Sequence, residues 1–137
     1  AQACPFNIQF TSYGSACSPS GALASGLAGL YANGPSGCSV TLTVSPASDT
    51  ASTYFISSLL VLGFQSLSFT LPNGCTLLAF PTLLLPLPFT NVLTLPLPPD
   101  PALVGLTAFA QGLVIRTDVF GTTQFHDLTP GVQISIL

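Results

Sequence analysis

Residues 38–44 read Cys-Ser-Val-Thr-Leu-Thr-Val, apolar side chains alternating with small hydroxyl side chains. A repeat of two is the period of an extended strand, whose successive side chains point to opposite faces. Cys38, Val40, Leu42 and Val44 therefore define a buried face, and Ser39, Thr41 and Thr43 a wet one. The same period recurs along the chain. Phe6, Ile8 and Phe10 alternate with Asn7 and Gln9, Leu67, Phe69 and Leu71 with Ser68 and Thr70, and Val132, Ile134 and Ile136 with Gln133 and Ser135. Less regular apolar stretches at 53–62, 76–80, 92–97, 107–115 and 123–125 read as further strands, their continuous apolar runs suiting central strands covered on both faces or strands covered outside by a partner.

The breaks between these runs carry turn chemistry. Asn33-Gly34 and Asn73-Gly74 are turn signals, the second between two strand candidates and so a hairpin candidate, and Thr129-Pro130-Gly131 reads as a turn into the last strand. Pro98-Pro99-Asp100-Pro101 forces an extended bend that leads into a short turn at Ala102–Val104. Residues 17–37, rich in Ser, Gly and Ala, read as a long surface loop with at most a weak helical turn near Leu23–Leu30. About eight to ten short strands without a sustained helix predict one all-β domain over residues 1–137. The expected architecture is an antiparallel β-sandwich or jelly roll, with a small closed barrel as the alternative.

Composition sets the environment. Only 4% of the 137 residues are charged, where an ordinary soluble domain has about a quarter. There is one Arg and no Lys, so the chain has no means of neutralising a phosphate backbone or an anionic bilayer, and nucleic acid is not an expected partner. The Leu-rich stretch 76–97 carries Pro81, Pro86, Pro88 and Pro96, which excludes a transmembrane helix there. Exposed strand edges are normally guarded by charge, above all by Lys, and those guards are missing here.

The four cysteines, Cys4, Cys17, Cys38 and Cys75, lack Cys-x-x-Cys spacing and accompany a single His, which favours disulfides over a metal site. Spacing leaves three pairings open. The preferred one joins Cys4 to Cys17, closing a short N-terminal loop, and Cys38 to Cys75, tying a strand start to the Asn73-Gly74 turn. Disulfides imply an oxidising compartment, so a secreted chain is expected, its Ala-Gln-Ala start following a signal peptide already removed.

No constellation for catalysis stands out. His126 and Asp127 are strand neighbours and point to opposite faces, so they do not form a base and its orienter. Without Glu, the carboxylates are Asp49 and Asp100 in turn contexts, Asp118, which shares a strand face with Arg116 as an expected ion pair, and Asp127. No Asp-rich loop offers a calcium site, and no Gly-x-Ser-x-Gly elbow or phosphate-cradling loop occurs. The expectation is therefore no enzyme, no cofactor and no metal. Tyr13, Tyr31 and Tyr54 are the residues available for a sugar-stacking platform.

Tyr13-Gly14-Ser15-Ala16-Cys17, Leu71-Pro72-Asn73-Gly74-Cys75, the Leu-Pro-Leu-Pro strand, and Asp100-Pro101-Ala102-Leu103-Val104-Gly105 followed by Ala108-Phe109-Ala110-Gln111-Gly112 together resemble a family of small secreted β-sandwich domains. These stand at the C-terminal ends of extracellular proteins of planctomycetes and related bacteria. The resemblance covers about half the chain. It departs at the end, where Leu128–Leu137 replaces the Ser-Asn-containing turn of that family. It implies an extracellular β-sandwich and brings no catalytic residue with it.

These readings converge on an extracellular structural subunit that assembles with copies of itself into a filament, sheath or surface layer, with other matrix or surface components as further partners. Assembly would run by strand addition at the unguarded edges or by donor-strand exchange, with Phe6, Ile8 and Phe10 as the candidate assembly strand, three apolar plugs on one face. The alternative is a non-catalytic adhesion module for glycans or a cell-surface partner, carried on the loops.

Overall fold

The computed structural model describes residues 4–17, 25–34, 37–45, 54–72, 74–87, 91–118 and 124–137. Among them run ten strands: β1 (Ile8–Tyr13), β2 (Gly26–Gly34), β3 (Gly37–Ser45), β4 (Tyr54–Gly63), β5 (Ser66–Thr70), β6 (Thr76–Ala79), β7 (Leu83–Pro86), β8 (Val92–Leu97), β9 (Thr107–Asp118) and β10 (Gln124–Ile136). One turn of 3₁₀ helix, Pro101–Leu103, lies between β8 and β9, and Asp100 caps it by accepting from the Ala102 amide at 2.9 Å.

The strands form a five-stranded sheet in the order β1-β10-β9-β4-β7, a three-stranded sheet β2-β3-β8, and a two-stranded ribbon β5-β6. All the strand pairs are antiparallel. The two larger sheets face each other across one core. Val40, Leu42 and Val44 of β3 meet Ile8, Leu60, Ala110, Val114, Val132 and Ile134 of the larger sheet. Along β3 burial alternates residue by residue, as its period of two requires. The fold is thus a disulfide-stapled all-β sandwich.

The β5-β6 ribbon covers part of the other face of the large sheet. Gln111 of β9 and Val61 of β4 point away from the sandwich core, yet both are buried, because β6 packs over them. On that same face Tyr13 sits edge-on to Phe109, ring centroids 5.9 Å apart at 87°, and its hydroxyl donates to the Leu78 carbonyl of β6. Gly131 lies opposite Tyr13 because the ring occupies the place a Cβ would take, 2.5 Å from Tyr13 Cζ.

β10 serves both layers through a β-bulge. Leu128 pairs with Leu113 and Gly131 with Gln111, so three steps on β10 match two on β9. The extra residue reverses side-chain parity. Phe125 and Asp127 share a face with Arg116 and Val114 before the bulge, whereas Val132 and Ile134 take that face after it. Pro130 stands within the bulge, one of the few places in a sheet where a missing N–H is tolerated. The Thr129 hydroxyl takes over a ladder partner by accepting from the Gly112 amide at 2.8 Å.

Several expectations are corrected. Thr129-Pro130-Gly131 is this bulge inside one long strand, so the segment expected to be separate at 123–125 belongs to β10, Thr123 itself lying outside the described residues. Within the stretch read as a loop over 17–37, Gly26–Gly34 is strand β2, paired along its whole length with β3, and the helical turn expected near Leu23–Leu30 gives way to it. Gly29 serves close approach, since a Cβ there would stand 2.3 Å from the Phe10 ring. Leu83–Pro86, not read as a strand, forms the edge strand β7, where Pro86 costs no ladder bond on its open side. Phe69, expected on a buried face, is exposed, β5 having β6 as its one strand neighbour among the described residues.

The disulfides pair Cys4 with Cys38 and Cys17 with Cys75, not Cys4 with Cys17 and Cys38 with Cys75. β1 itself forbids the expected pairing. Its six extended residues span about 20 Å between Cys4 and Cys17, while a disulfide needs Cα atoms within about 7 Å. Cys4 is delivered instead to the β2-β3 hairpin, where its amide donates to Asn33 Oδ1 at 3.0 Å beside Cys38. Cys17 leaves β1 to bridge Leu128 and meets the start of β6 at Cys75. One staple therefore joins the two sheets of the sandwich, and the other ties the ribbon to the large sheet.

Candidate functional site

Arg116, the only cation among the side chains apart from His126, does not reach the surface. Its Nε donates to Asp127 Oδ2 at 2.8 Å, and both side chains are fully buried. This pair runs across strands, and the side chain of Asp118, the partner expected for Arg116, lies outside the described residues. Arg116 lies opposite Phe125 and Asp127 opposite Val114, which makes Arg116 and Asp127 diagonal neighbours on one face. Neither Lys nor Arg remains for the exterior of the molecule.

A second polar centre ties the layers. Gln111 Oε1 accepts from the Leu78 amide at 2.8 Å, and Nε2 donates to the carbonyls of Thr129 at 2.9 Å and Thr76 at 3.2 Å. One side chain thus links β9, β10 and β6. Its partners are backbone groups, and its chemistry is structural.

His126 is exposed and lies 3.1 Å from Gln124 Oε1, while its neighbour Asp127 is buried, as strand alternation requires. Among the described residues no three His, Cys, Asp or Glu side chains come together to hold a metal ion. Tyr13 and Tyr31 are partly buried, and their hydroxyls donate to Leu78 and Phe6 carbonyls. Burial raises the pKa of both phenols above the usual value. Neither Tyr13 nor Tyr31 offers a free stacking platform, and the side chain of Tyr54 and all of Asp49 lie outside the described residues.

The candidate assembly residues Phe6, Ile8 and Phe10 lie in and just before β1, an edge strand of the large sheet. β1 pairs with β10 from Ile8↔Ile136 to Tyr13↔Gly131, and Phe6 and Ile8 are buried in the core. Among the described residues the outer strands of the sandwich are β1, β7, β2 and β8, and none of them contains a charged residue. β7 and β8 carry Pro86 and Pro96. β1 and β2 carry no proline either, and Leu30 on β2 is 66% exposed.

The sandwich is not filled at one end. An apolar cavity of about 290 Å³ opens there, between Val40 and Leu97 of the small sheet, Leu62, Ala108 and Ile134 of the large one, and Leu103 of the 3₁₀ turn. Phe64 and Leu106 stand at its rim, both exposed. A second, shallower cleft lies over the Cys17–Cys75 disulfide, where the Tyr-Gly-Ser-Ala-Cys and Asn-Gly-Cys segments meet. No protein-family model, curated protein or solved structure matches this chain. No helix among the described residues is long and apolar enough to cross a membrane.

Proposed function

We propose that this chain is a non-catalytic extracellular structural subunit that associates with copies of itself by strand addition along its β1 and β2 edges. The observation that carries the reading is the absence of charge from the outer strands among the described residues, combined with burial of the only Arg. Natural sheets block edge-to-edge pairing with charge, proline or covering elements. β7 and β8 hold one proline each, whereas β1 and β2 have neither device. Neutral Ser, Thr and Gln faces allow close approach without like-charge repulsion. Two disulfides fit an oxidising, extracellular setting, as does the resemblance to secreted sandwich domains.

Strand addition is favoured over strand exchange because Phe6 and Ile8 are already seated in their own core, and exchange would empty it. The test is sedimentation velocity with negative-stain electron microscopy on the native protein and on Thr11→Lys and Leu30→Lys. The native chain is expected to form regular filaments or sheets, and both variants to disperse into particles of 14.0 kDa. A native chain that sediments as a monomer, or variants that assemble undiminished, would refute this function.

A further inference from the structure

We infer that the cavity at the end of the sandwich is a binding site for a neutral lipophilic small molecule of about ten to twelve carbon atoms. The size follows from volume. A buried cavity of about 150 Å³ lined by Leu, Ile and Phe stays dry and takes up benzene. The cavity here, at about 290 Å³, is roughly twice as large. Thr107 is the single polar residue type among those lining it. A ligand with hydrogen-bonding demands would lose them on entry, whereas a hydrocarbon loses none.

Charge decides the class further. An acyl carboxylate at the mouth would gain no ion pair there, since no Lys or Arg side chain lies near enough to hold it. The chain has no Lys, and Arg116 is buried with Asp127, nine residues beyond Thr107 along β9 and so roughly 30 Å away. The charged residue of the segment joining β8 to β9, which supplies Leu103 and Leu106 to the cavity, is Asp100, an acid. The site therefore selects an uncharged alkyl or terpene-like compound over a fatty-acid anion. Its mouth is built to admit one, since Phe64 and Leu106 leave 65% and 47% of their surfaces exposed at the rim. This inference rests on the cavity alone and does not depend on self-association.

The experiment is a fluorescence titration of the native chain with N-phenyl-1-naphthylamine, a neutral probe, followed by competition with decan-1-ol and with decanoate at pH 8. The expected result is saturable one-to-one binding, displaced by decan-1-ol at a concentration at least ten-fold below that needed with decanoate. Ala108→Phe fills the cavity and should weaken probe binding at least ten-fold. Leu106→Asp, a rim change with no demand on the core, should do the same if the first variant fails to fold. Phe69→Ser, an exposed apolar site away from the cavity, should leave binding unchanged. Absence of saturable binding, equal competition by decanoate, or binding that survives both cavity variants would overturn the assignment.

Discussion

Arg116 and Asp127 meet at 2.8 Å with neither side chain exposed to solvent, so the one guanidinium of this chain is committed to its interior. Replacing one member removes this contact from a charge that stays buried, and breaking a buried pair in that way typically costs about 3–5 kcal/mol. Arg116→Met and Asp127→Leu should each destabilise by that amount, while the double variant should recover most of the loss. Urea unfolding with disulfides intact measures both. Single variants costing under about 1 kcal/mol would contradict the buried pair.

Gln111→Leu should destabilise by about 3 kcal/mol, because the Leu78 amide and two carbonyls lose their partner inside the protein. Amide exchange locates the effect. The Leu78 amide should exchange faster while β3 keeps its protection, and uniform acceleration across both sheets would show a global loss of stability instead.

Peptide mapping under non-reducing conditions should recover Cys4 linked to Cys38 and Cys17 linked to Cys75. The bridges close segments of 34 and 58 residues, for which the chain-entropy model gives about 4 kcal/mol each. Replacing both Cys4 and Cys38 by Ser should lower the urea midpoint accordingly. A change within error would mean that this cross-sheet staple does not constrain the unfolded chain.

Alkaline pH should weaken the fold. Burial raises the Tyr13 phenol pKa, so the folded chain holds that proton more tightly than the unfolded chain does. The stability this contributes is whole below about pH 10 and is lost as pH rises through the folded-state value. Tyr13→Phe keeps the edge-on contact with Phe109 and removes the ionisable group. Its urea midpoint should fall less steeply between pH 9 and about 11.5 than that of the native chain, and parallel slopes would rule Tyr13 out as the source.

Much of this fold was legible in residue order. The alternation at 38–44 defines β3, and the apolar run at 92–97 coincides with β8. The antiparallel sandwich follows from such runs because each needs a second layer to cover its apolar face. What stayed hidden depends on neighbours remote in sequence. β2 looks like loop because Gly and Ala are poor strand formers in isolation, yet Gly29 is small to admit Phe10 from another sheet. The Arg116–Asp127 pair is not legible in residue order, because strand register and not spacing along the chain places Asp127 beside Arg116. That Cys4 does not pair with Cys17 was foreseeable, since the Phe6–Phe10 strand signal already separates them, but the choice between the two remaining pairings depends on which strands the fold brings together. The end cavity has no sequence signature at all, because its lining comes from strands and turns far apart in the chain.

The bulge at Thr129–Gly131 gives β10 something like a reading frame. Substitutions on either side are judged one at a time by the pocket each side chain enters. Loss of a single residue at Pro130 would instead move every later residue to the other face, turning Gln133 and Ser135 toward the core and Val132, Ile134 and Ile136 out of it. β1 takes its register from that same stretch and would follow. Length at this one point is therefore under tighter constraint than identity, and variation that the fold accepts near residue 130 should be exchange of residues, not gain or loss of them.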